Sequence, residues 1–340
     1  MKSKIFFSKD ISKRAIGKLF SKIQSEKEIS GKTAIKTHFG EKGQSRHVHP
    51  EYVKEVKNLV EKKTDDFFLT DTNTLYRGMR INATDHKNIA NQHGFDFAPI
   101  VIGDGEEGND EYLVEINKKH FDVVHIGKAY QYIDSMVVIN HFKGHVLFGF
   151  GGALKNLSMG CASRAGKLAM HSKVSPYVGN GCNGCTICAN KCPADAIKIE
   201  SNTANINNEN CIGCAECIAV CPNGVIKVPF HGASSIEAME RAAEYAYGVT
   251  RDRNIIYITF INNITKHCDC LSDSEIIGND VGIIAGKDPV AMDWAAYELT
   301  KEKHNGEDVF QNSGNPDGTR IMEYSEELGM GIKDYEIVVV

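Results

Sequence analysis

Two cysteine runs stand in the middle of the chain: residues 182–193 read CNGCTICANKCP, and residues 211–222 read CIGCAECIAVCP. Both have the spacing C-x2-C-x2-C-x3-C-P, which places three thiolates around one [4Fe–4S] cluster and sends the fourth to a second cluster. The spacing therefore predicts two clusters with crossed ligation. The first would be held by Cys182, Cys185, Cys188 and Cys221, and the second by Cys211, Cys214, Cys217 and Cys192.

The two runs also form an internal repeat, because 192–200 (CPADAIKIE) matches 221–228 (CPNGVIKV). A duplicated half-domain follows, each half consisting of a short helix and a hairpin strand. Zinc knuckles are the alternative, but zinc sites usually space two C-x2-C pairs with a longer loop. Residues 178–228 resemble the bacterial two-cluster ferredoxins. The resemblance implies a small α+β insert that carries the clusters. The apolar residues of these runs would form a dry shell between the clusters: Ile187, Ala196, Ile197, Ile212, Ile218, Val225 and Ile226.

The bulk composition describes an ordinary globular protein of 340 residues with a formal net charge of −5. This length suits two domains, or one α/β domain with an insertion. Lys and Asp interrupt the first twenty residues too often for a signal peptide, and no stretch approaches the roughly 20 apolar residues of a membrane span. We therefore expect a cytoplasmic protein whose cysteines bind metal rather than form disulfides. The charge balance gives no reason to expect nucleic-acid binding.

Outside the cysteine runs, apolar stretches alternate with helical patterns. Strands are predicted at 33–39, 66–70, 122–126, 136–140, 254–261 and 281–285, and helices at 50–62, 235–247 and 289–300. Such alternation predicts a mostly parallel sheet with helices on both faces. We expect one α/β domain, made of residues 1–177 and 229–340, that is interrupted by the ferredoxin-like insert at 178–228.

Four further segments carry a resemblance that extends over nearly the whole chain. They are 71–86 (DTNTLYRGMRINATDH), 141–171, 267–270 (HCDC) and 282–299 (GIIAGKDPVAMDWAAYEL). With these segments the chain resembles the domain-of-unknown-function family 362, members of which often carry an iron–sulfur insert at this place. The resemblance implies that the α/β domain and the ferredoxin occur together, and it implies no substrate.

A glycine-rich segment follows the apolar stretch MVVIN and supplies the first candidate site residues. His141, Lys143 and His145 precede GFGG at 149–152, and Lys155 follows it. Ligands of α/β proteins bind at carboxyl strand ends, where glycines let backbone N–H groups approach an anion and lysines add positive charge. The segment matches neither a P-loop nor a dinucleotide fingerprint. The alternative interpretation is a tight turn in which the glycines only permit close packing.

The segment HCDC provides two more candidates, Cys268 and Cys270. Two thiols, an imidazole and a carboxylate within four residues could contribute to an additional metal site or form a redox-active pair. An internal disulfide is not expected, because C-x-C is short for one and strand side chains alternate faces. The alternative is that they are buried core cysteines. Cys161 is interpreted as a packed thiol.

Other polar residues follow predicted strands, and each of them could have either of two roles. His38, His47 and His49 could form a metal site, although solvated loop histidines are favoured. Arg77 and Arg80 could clamp a carboxylate or phosphate, or pair with Asp71 or Asp85. Asp288 and Asp293 flank a proline and could cap the helix that begins there.

The leading hypothesis is a redox protein in which two clusters pass electrons to a small-molecule substrate, or to a metal site, in the α/β domain. The candidate catalytic residues are His141, Lys143, His145, Lys155, Cys268 and Cys270. One alternative is an electron-carrier or adaptor subunit that docks onto a larger oxidoreductase as its redox partner. A metal-handling protein is another. No flavin or nicotinamide is expected.

Overall fold

A computed structural model describes residues 2–172, 175–229, 233–270 and 274–340. The strands are β1 Ser3–Ser8, β2 Thr33–Lys36, β3 Phe67–Asp71, β4 Ile100–Ile102, β5 Glu111–Glu115, β6 Val123–Gly127, β7 Ser135–His141, β8 Lys143–His145, β9 Gly149–Gly151, β10 Tyr177–Val178, β11 Ile197–Glu200, β12 Thr203–Ile206, β13 Ile226–Lys227, β14 Asn254–Ile261, β15 Ile264–Thr265, β16 Ile276–Gly278, β17 Gly282–Gly286 and β18 Tyr335–Val339.

Helices connect most of these strands. They are α1 Lys13–Glu26, α2 Pro50–Glu61, α3 Ala83–Gln92, α4 Ala153–Cys161, α5 Arg164–His171, α6 Ile187–Asn190, α7 Glu216–Val220, α8 Ser235–Thr250, α9 Pro289–Lys303, α10 Val309–Asn312 and α11 Thr319–Glu327, with a 3-10 turn at Lys128–Tyr130. Polar caps begin several of them: Ser12, Asn82 and Ser234 each accept a backbone N–H of the first helical turn.

The central sheet has eight strands in the order β18-β1-β17-β14-β7-β2-β3-β4. Only β17 runs against the others, pairing antiparallel with both β1 and β14. The middle strands β7 and β14 are apolar along most of their length, as is usual where both faces of a parallel sheet are covered. The prediction of a mostly parallel α/β sheet is therefore confirmed.

The two faces of the sheet bury separate cores because successive side chains point to opposite sides. Val138 and Tyr257 belong to the core beneath α4, α8, α9 and α11. Val137 and Ile256 belong to the core beneath α1, α2 and α3. Burial of each large aliphatic side chain contributes about 1.5–3 kcal/mol, so the sheet is fixed from both sides.

Two features of the sheet differ from expectation. The stretch 122–126 is not a strand of the main sheet: it forms β6, which pairs antiparallel with β5 in a separate two-stranded sheet. The chain ends also add strands that periodicity did not single out, because β1 pairs with β17 and with β18. β1 has a polar residue at each end, and β18 is only partly buried, so neither has a long apolar signature.

Residues 177–228, here called the cysteine-rich segment, have their own secondary structure and core. β10 pairs with β13 where the segment begins and ends, and β11 forms a hairpin with β12. Ile197, Ile218 and Val225 are buried in this core. The expected apolar shell is wrong at Ile187 and Ile212, whose side chains are 40% and 68% exposed.

Within the described part of the chain, none of the helices combines the length and the apolarity that crossing a bilayer requires.

Candidate functional site

The loops that follow β2, β3, β7 and β14 meet at one edge of the sheet. The four strands run in the same direction, so their carboxyl ends share this edge, where α/β proteins place ligands. A cavity of about 920 Å³ lies there. It is lined by all six of the candidate catalytic residues, His141, Lys143, His145, Lys155, Cys268 and Cys270.

The charges around this cavity are mostly positive, although the chain as a whole is acidic. Among the described residues, six Lys and Arg side chains line the cavity, but only three carboxylates do so. The cations are Lys42, Arg77, Arg80, Lys143, Lys155 and Lys167, and the carboxylates are Glu41, Asp71 and Asp269. Low-dielectric walls strengthen the field of such groups, so the cavity attracts anions.

Asp269 anchors the floor of the cavity. It is fully buried, forms an ion pair with Lys143 at 2.8 Å, and lies 3.0 Å from His141 Nδ1. Nε2 of His141 lies 2.8 Å from the Asn262 carbonyl, so both ring nitrogens face acceptors. Burial alone would raise the pKa of Asp269, but the His141 and Lys143 charges hold it well below its usual range. Lys143, expected to bind an anionic ligand, thus already has an internal partner.

His145 and Lys155 have their polar groups available to a ligand. Nδ1 of His145 accepts the N–H groups of Leu147 and Phe148 at 3.1 and 3.2 Å, so its ring proton is on Nε2. Burial and the nearby Lys155 charge hold the pKa of His145 well below its usual range, so the ring is neutral. Lys155 forms no ion pair with any described residue. His145 therefore offers a ligand a neutral hydrogen-bond donor, and Lys155 offers it a positive charge.

A second ionic cluster lies at the same cavity, after β3. Asp71 lies 3.0 Å from Lys36 Nζ and 3.6 Å from Arg80, and Arg80 also contacts Glu41 at 3.3 Å. Burial opposes ionisation of Asp71, but the charge of Lys36 and its neighbours holds the pKa of Asp71 well below its usual range. Of the two partners considered for the arginines, Arg80 takes Asp71, whereas Asp85 accepts from Asn82.

The glycine-rich loop does not hold an external anion at the helix N-terminus as expected. The first N–H groups of α4, from Ala153 and Leu154, donate to Asp293 at 2.6 and 2.9 Å. Asp293, from α9, therefore supplies the negative charge that a helix N-terminus attracts. Asp288 caps α9 as expected, accepting from Val290 and Ala291 at 2.9 Å.

Asp293→Ala is expected to lower the free energy of unfolding by about 1–3 kcal/mol, because it leaves two buried N–H groups without acceptors. Burial raises the pKa of Asp293 to about 7, so urea unfolding should be followed at pH 8, where the carboxylate predominates. Asp293→Asn, which keeps one acceptor oxygen, should lower the free energy of unfolding by less. A variant as stable as the parent protein would show that α4 is capped by other means.

Lys167 was not singled out from the sequence, because a lysine on a helix is ordinarily a surface residue. The side chain is buried on α5 and donates to Thr72 Oγ1 at 2.5 Å and to the Ala162 carbonyl at 2.8 Å. Burial lowers its pKa to about 8, although the charges of Asp104 and Asp71 oppose this shift. Lys167 is therefore a cation that loses its proton just above neutral pH.

Affinity of the cavity for sulfate is expected to fall as the pH rises through about 8, because Lys167 then loses its charge. Sulfate keeps its own charge in this range, so calorimetric titration at several pH values isolates the protein's contribution. In Lys167→Arg the decrease should disappear. Lys167 also makes the stability of the fold depend on pH. Its pKa is lower in the folded chain than in the unfolded chain, so its contribution to the free energy of unfolding increases as the pH rises above 8.

The eight cysteines of the cysteine-rich segment surround two small cavities. One is lined by Cys182, Cys185, Cys188 and Cys221. The other is lined by Cys192, Cys211, Cys214 and Cys217. In each cavity three thiols come from one run and the fourth comes from the other, as the crossed ligation requires.

The backbone repeats its conformation around these two cavities. Gly184 and Gly213 have φ of +65° and +73°, and Thr186 and Ala215 follow with φ of +65° and +59°. Left-handed residues in such turns orient successive N–H groups toward one point, an arrangement that binds anions. Cys182 Sγ accepts an N–H bond at 3.3 Å from the hairpin residue Ala204. The donor set thus fits anionic sulfur clusters.

No three His, Cys, Asp or Glu side chains in the described ranges converge as ligands of a single metal ion. A cubane presents four separate iron atoms, so its thiolates need not meet at one point.

The described histidines of the loop after β2 do not form a metal site either. His38 lines the main cavity, the buried His47 stacks on His93 at 5.0 Å, and His49 caps α2. The solvated-loop interpretation is therefore wrong for His38 and His47, and Cys161 lies in the core as interpreted.

Two residues join the main cavity to the cysteine-rich segment. Leu75 lines the cavity and also packs into the core that contains Cys188 and Cys221. Arg77 lines the same cavity and donates to the carbonyl of Pro222, the residue that follows Cys221. The cavity and the first group of four cysteines are therefore neighbours.

The comparisons with known proteins concern family and fold. The sequence profile of the family described as Domain of unknown function (DUF362) matches residues 33–298. No curated protein matches the chain. A crystal structure of a Thermotoga maritima protein is similar with 12% identity and a TM-score of 0.43, over 94% of this chain and 60% of that one. The lactate racemase apoprotein from Thermoanaerobacterium thermosaccharolyticum has 14% identity and a TM-score of 0.34, over 76% of this chain and 51% of that one.

Proposed function

The chain belongs to the DUF362 family, and from its site we propose that it is an oxidoreductase that delivers electrons from two [4Fe–4S] clusters to an anionic small molecule. The observation that carries the proposal is the junction formed by Leu75 and Arg77 between the cysteines and the cationic cavity. When bound, such clusters supply single electrons over a wide range of potentials. Eleven free cysteines suit the reducing environment of a cytosol.

The eight thiolates of the cysteine-rich segment would hold the clusters in the crossed pattern. Support comes from the two cavities lined by four cysteines each and from the repeated left-handed turns at Gly184 and Gly213. The apolar core of the segment buries three of the eight thiols, those of Cys188, Cys217 and Cys221.

The residues of the main cavity would bind and orient the substrate. Lys155 has no described ionic partner and provides the positive charge, while the Nε2–H of His145 is placed to donate to an oxygen of the ligand. Lys167, with a pKa of about 8, is suited to give up a proton to a substrate that becomes more basic on reduction. Lys143 and His141 would hold the loop through Asp269 rather than contact the ligand.

Iron and sulfide analysis of anaerobically purified protein, followed by EPR of the dithionite-reduced form, tests the cofactor half of the proposal. About eight irons per chain and an interacting two-cluster signal are expected. Stoichiometric zinc without iron would overturn it.

The substrate half is tested by following the oxidation of reduced methyl viologen in the presence of a panel of carboxylates and phosphates. Lys155→Met should abolish any turnover found while the iron content stays unchanged. Lys54→Met, on the exposed face of α2, is the matched control and should behave like the parent protein. Turnover that survives Lys155→Met would place the substrate outside the cavity.

A second candidate is an electron-carrier subunit with a redox partner protein. Exposed apolar side chains on the cysteine-rich segment favour it: Tyr177, Ile187 and Ile212 are 53%, 40% and 68% exposed. Apolar residues of this kind anchor protein interfaces. This candidate predicts reversible reduction without small-molecule turnover, and Ile212→Asp should then abolish electron exchange with the partner.

A further inference from the structure

Cys268 and Cys270, here called the thiol pair, line the cavity but have no part in the function proposed above. Asp269 lies between them and is fully buried in its ion pair with Lys143. Asp269 and Cys270 lie in a turn. The buried carboxylate therefore anchors a turn that holds both flanking thiols at the cavity.

The surroundings of Cys270 suit a thiolate. Arg80 Nη2 donates to its sulfur at 3.4 Å, and His38 Nε2 lies 3.6 Å away. The Gly40 N–H donates to His38 Nδ1 at 3.0 Å, so the ring proton is on Nε2. His38 Nε2 and Arg80 Nη1 are thus two donors only 3.0 Å apart, and a negative charge beside them relieves their repulsion.

Cys268 complements this arrangement as the protonated partner. Its thiol forms a side-chain hydrogen bond with Cys270, which together with burial holds the pKa of Cys268 well above its usual value. The same hydrogen bond, with the charge of Arg80 and the His38 contact, outweighs burial and holds the pKa of Cys270 well below its usual value. One thiolate and one thiol therefore share a proton at the wall of a cationic cavity.

We propose that the thiol pair is a dithiol–disulfide centre that reduces anionic low-molecular-weight disulfides bound in the cavity. The cationic walls select an anion, and a thiolate there is placed to attack sulfur. The presence of Cys268 favours a dithiol centre over a single nucleophile, because a neighbouring thiol can resolve the mixed disulfide that forms on Cys270. The structure places Asp269 and Cys270 in a turn rather than in a strand. Cα atoms two residues apart are at most about 7 Å from each other, which is within the limit for a disulfide.

The exchange proceeds in two displacements. The Cys270 thiolate attacks one sulfur of the substrate, forming a mixed disulfide and expelling the other half as a thiolate. That thiolate takes the proton of Cys268, and the new Cys268 thiolate attacks Cys270 Sγ and expels the second half. The substrate disulfide gains two electrons and one proton and leaves as one thiol and one thiolate, and the pair becomes a disulfide.

Regeneration of the thiol pair needs two electrons and one proton. This half of the cycle rests on the proposed function, which supplies the electrons one at a time. The exchange half needs no electron supply, so the two can fail separately. Iron content and the EPR spectrum report on the first, and thiol mapping reports on the second.

The test uses the anaerobic holoprotein and dithiobis-nitrobenzoate, a disulfide with a carboxylate on each half. Peptide mass spectrometry after a short exposure at pH 7 should find an internal disulfide between Cys268 and Cys270. The pair should react roughly tenfold faster than the same cysteines in urea-unfolded protein, because an ordinary thiol is only a few per cent ionised at this pH.

Variants assign the roles of the two thiols. Cys268→Ser should retain a nitrobenzoate adduct on Cys270, and Cys270→Ser should slow the reaction at Cys268 at least tenfold. Cys161→Ser, which removes a buried core thiol that does not line the cavity, is the matched control and should behave as the parent protein. Separate, persistent adducts on both thiols of the parent protein, or rates equal to those in urea, would overturn the proposal.

Discussion

Cys182→Ser, Cys185→Ser and Cys188→Ser, combined in one chain, are expected to reduce the iron content from about eight to about four atoms. The three serines would remove most of the ligands of one proposed cluster, while the second group of four cysteines, around its own cavity, is untouched. Iron and sulfide analysis of anaerobic protein measures the loss, and EPR should show that the interaction between the two clusters has disappeared.

A fourth substitution in this triple variant tests the crossed ligation. Adding Cys192→Ser should destroy or alter the remaining cluster, because Cys192 lines the cavity of the second run. Adding Cys221→Ser is the matched control and should have no further effect, because its cavity has already lost its cluster. If the two additions have interchanged effects, each run holds its own cluster and the assignment is wrong.

Asp269→Ala is expected to lower the free energy of unfolding by about 3–5 kcal/mol, the usual cost of removing one partner from a buried ion pair. The substitution leaves Lys143 without its counter-ion and His141 Nδ1 without its partner in a protein interior. Urea unfolding monitored by circular dichroism measures the change as a lower midpoint with an unchanged slope.

A double-mutant cycle separates the ion pair from other effects of losing this carboxylate. Asp269→Ala combined with Lys143→Met should cost less than the sum of the single changes, because neither charge is then left alone. Asp96→Ala, at an exposed turn after α3, is the control and should cost no more than about 0.5 kcal/mol. Additive costs in the cycle would mean that Asp269 and Lys143 are not energetically coupled.

Several elements of the fold could be predicted because their signals are local. The buried strands β7 and β14 are continuous apolar runs, and α2 and α9 begin with proline at the first turn. The edge at which polar loops collect also follows from sequence, because parallel strands bring their carboxyl ends together. The stretch that forms β6 was misplaced, since an apolar run does not tell which strand it pairs with.

The candidate site also has parts that could be predicted from the sequence and parts that could not. Its four loops and its six candidate residues were predicted from their positions after strands, and the structure brings them to one cavity. The anion at the N-terminus of α4 could not be predicted, because Asp293 is 140 residues from the N–H group it accepts. The partners of Lys143 and Arg80 and the burial of Lys167 also depend on contacts between distant segments.

The sequence by itself determined the class of the sheet, the division of eight cysteines into two crossed groups, and the edge where the site lies. These properties depend on spacing and periodicity, which a chain carries before it folds. Only the tertiary structure decided which lysine is neutralised, which carboxylate caps which helix, and that Cys270 lies beside Arg80 and His38. Ionisation and reactivity depend on charges and burial within a few ångströms, and those distances exist only after distant segments have packed together.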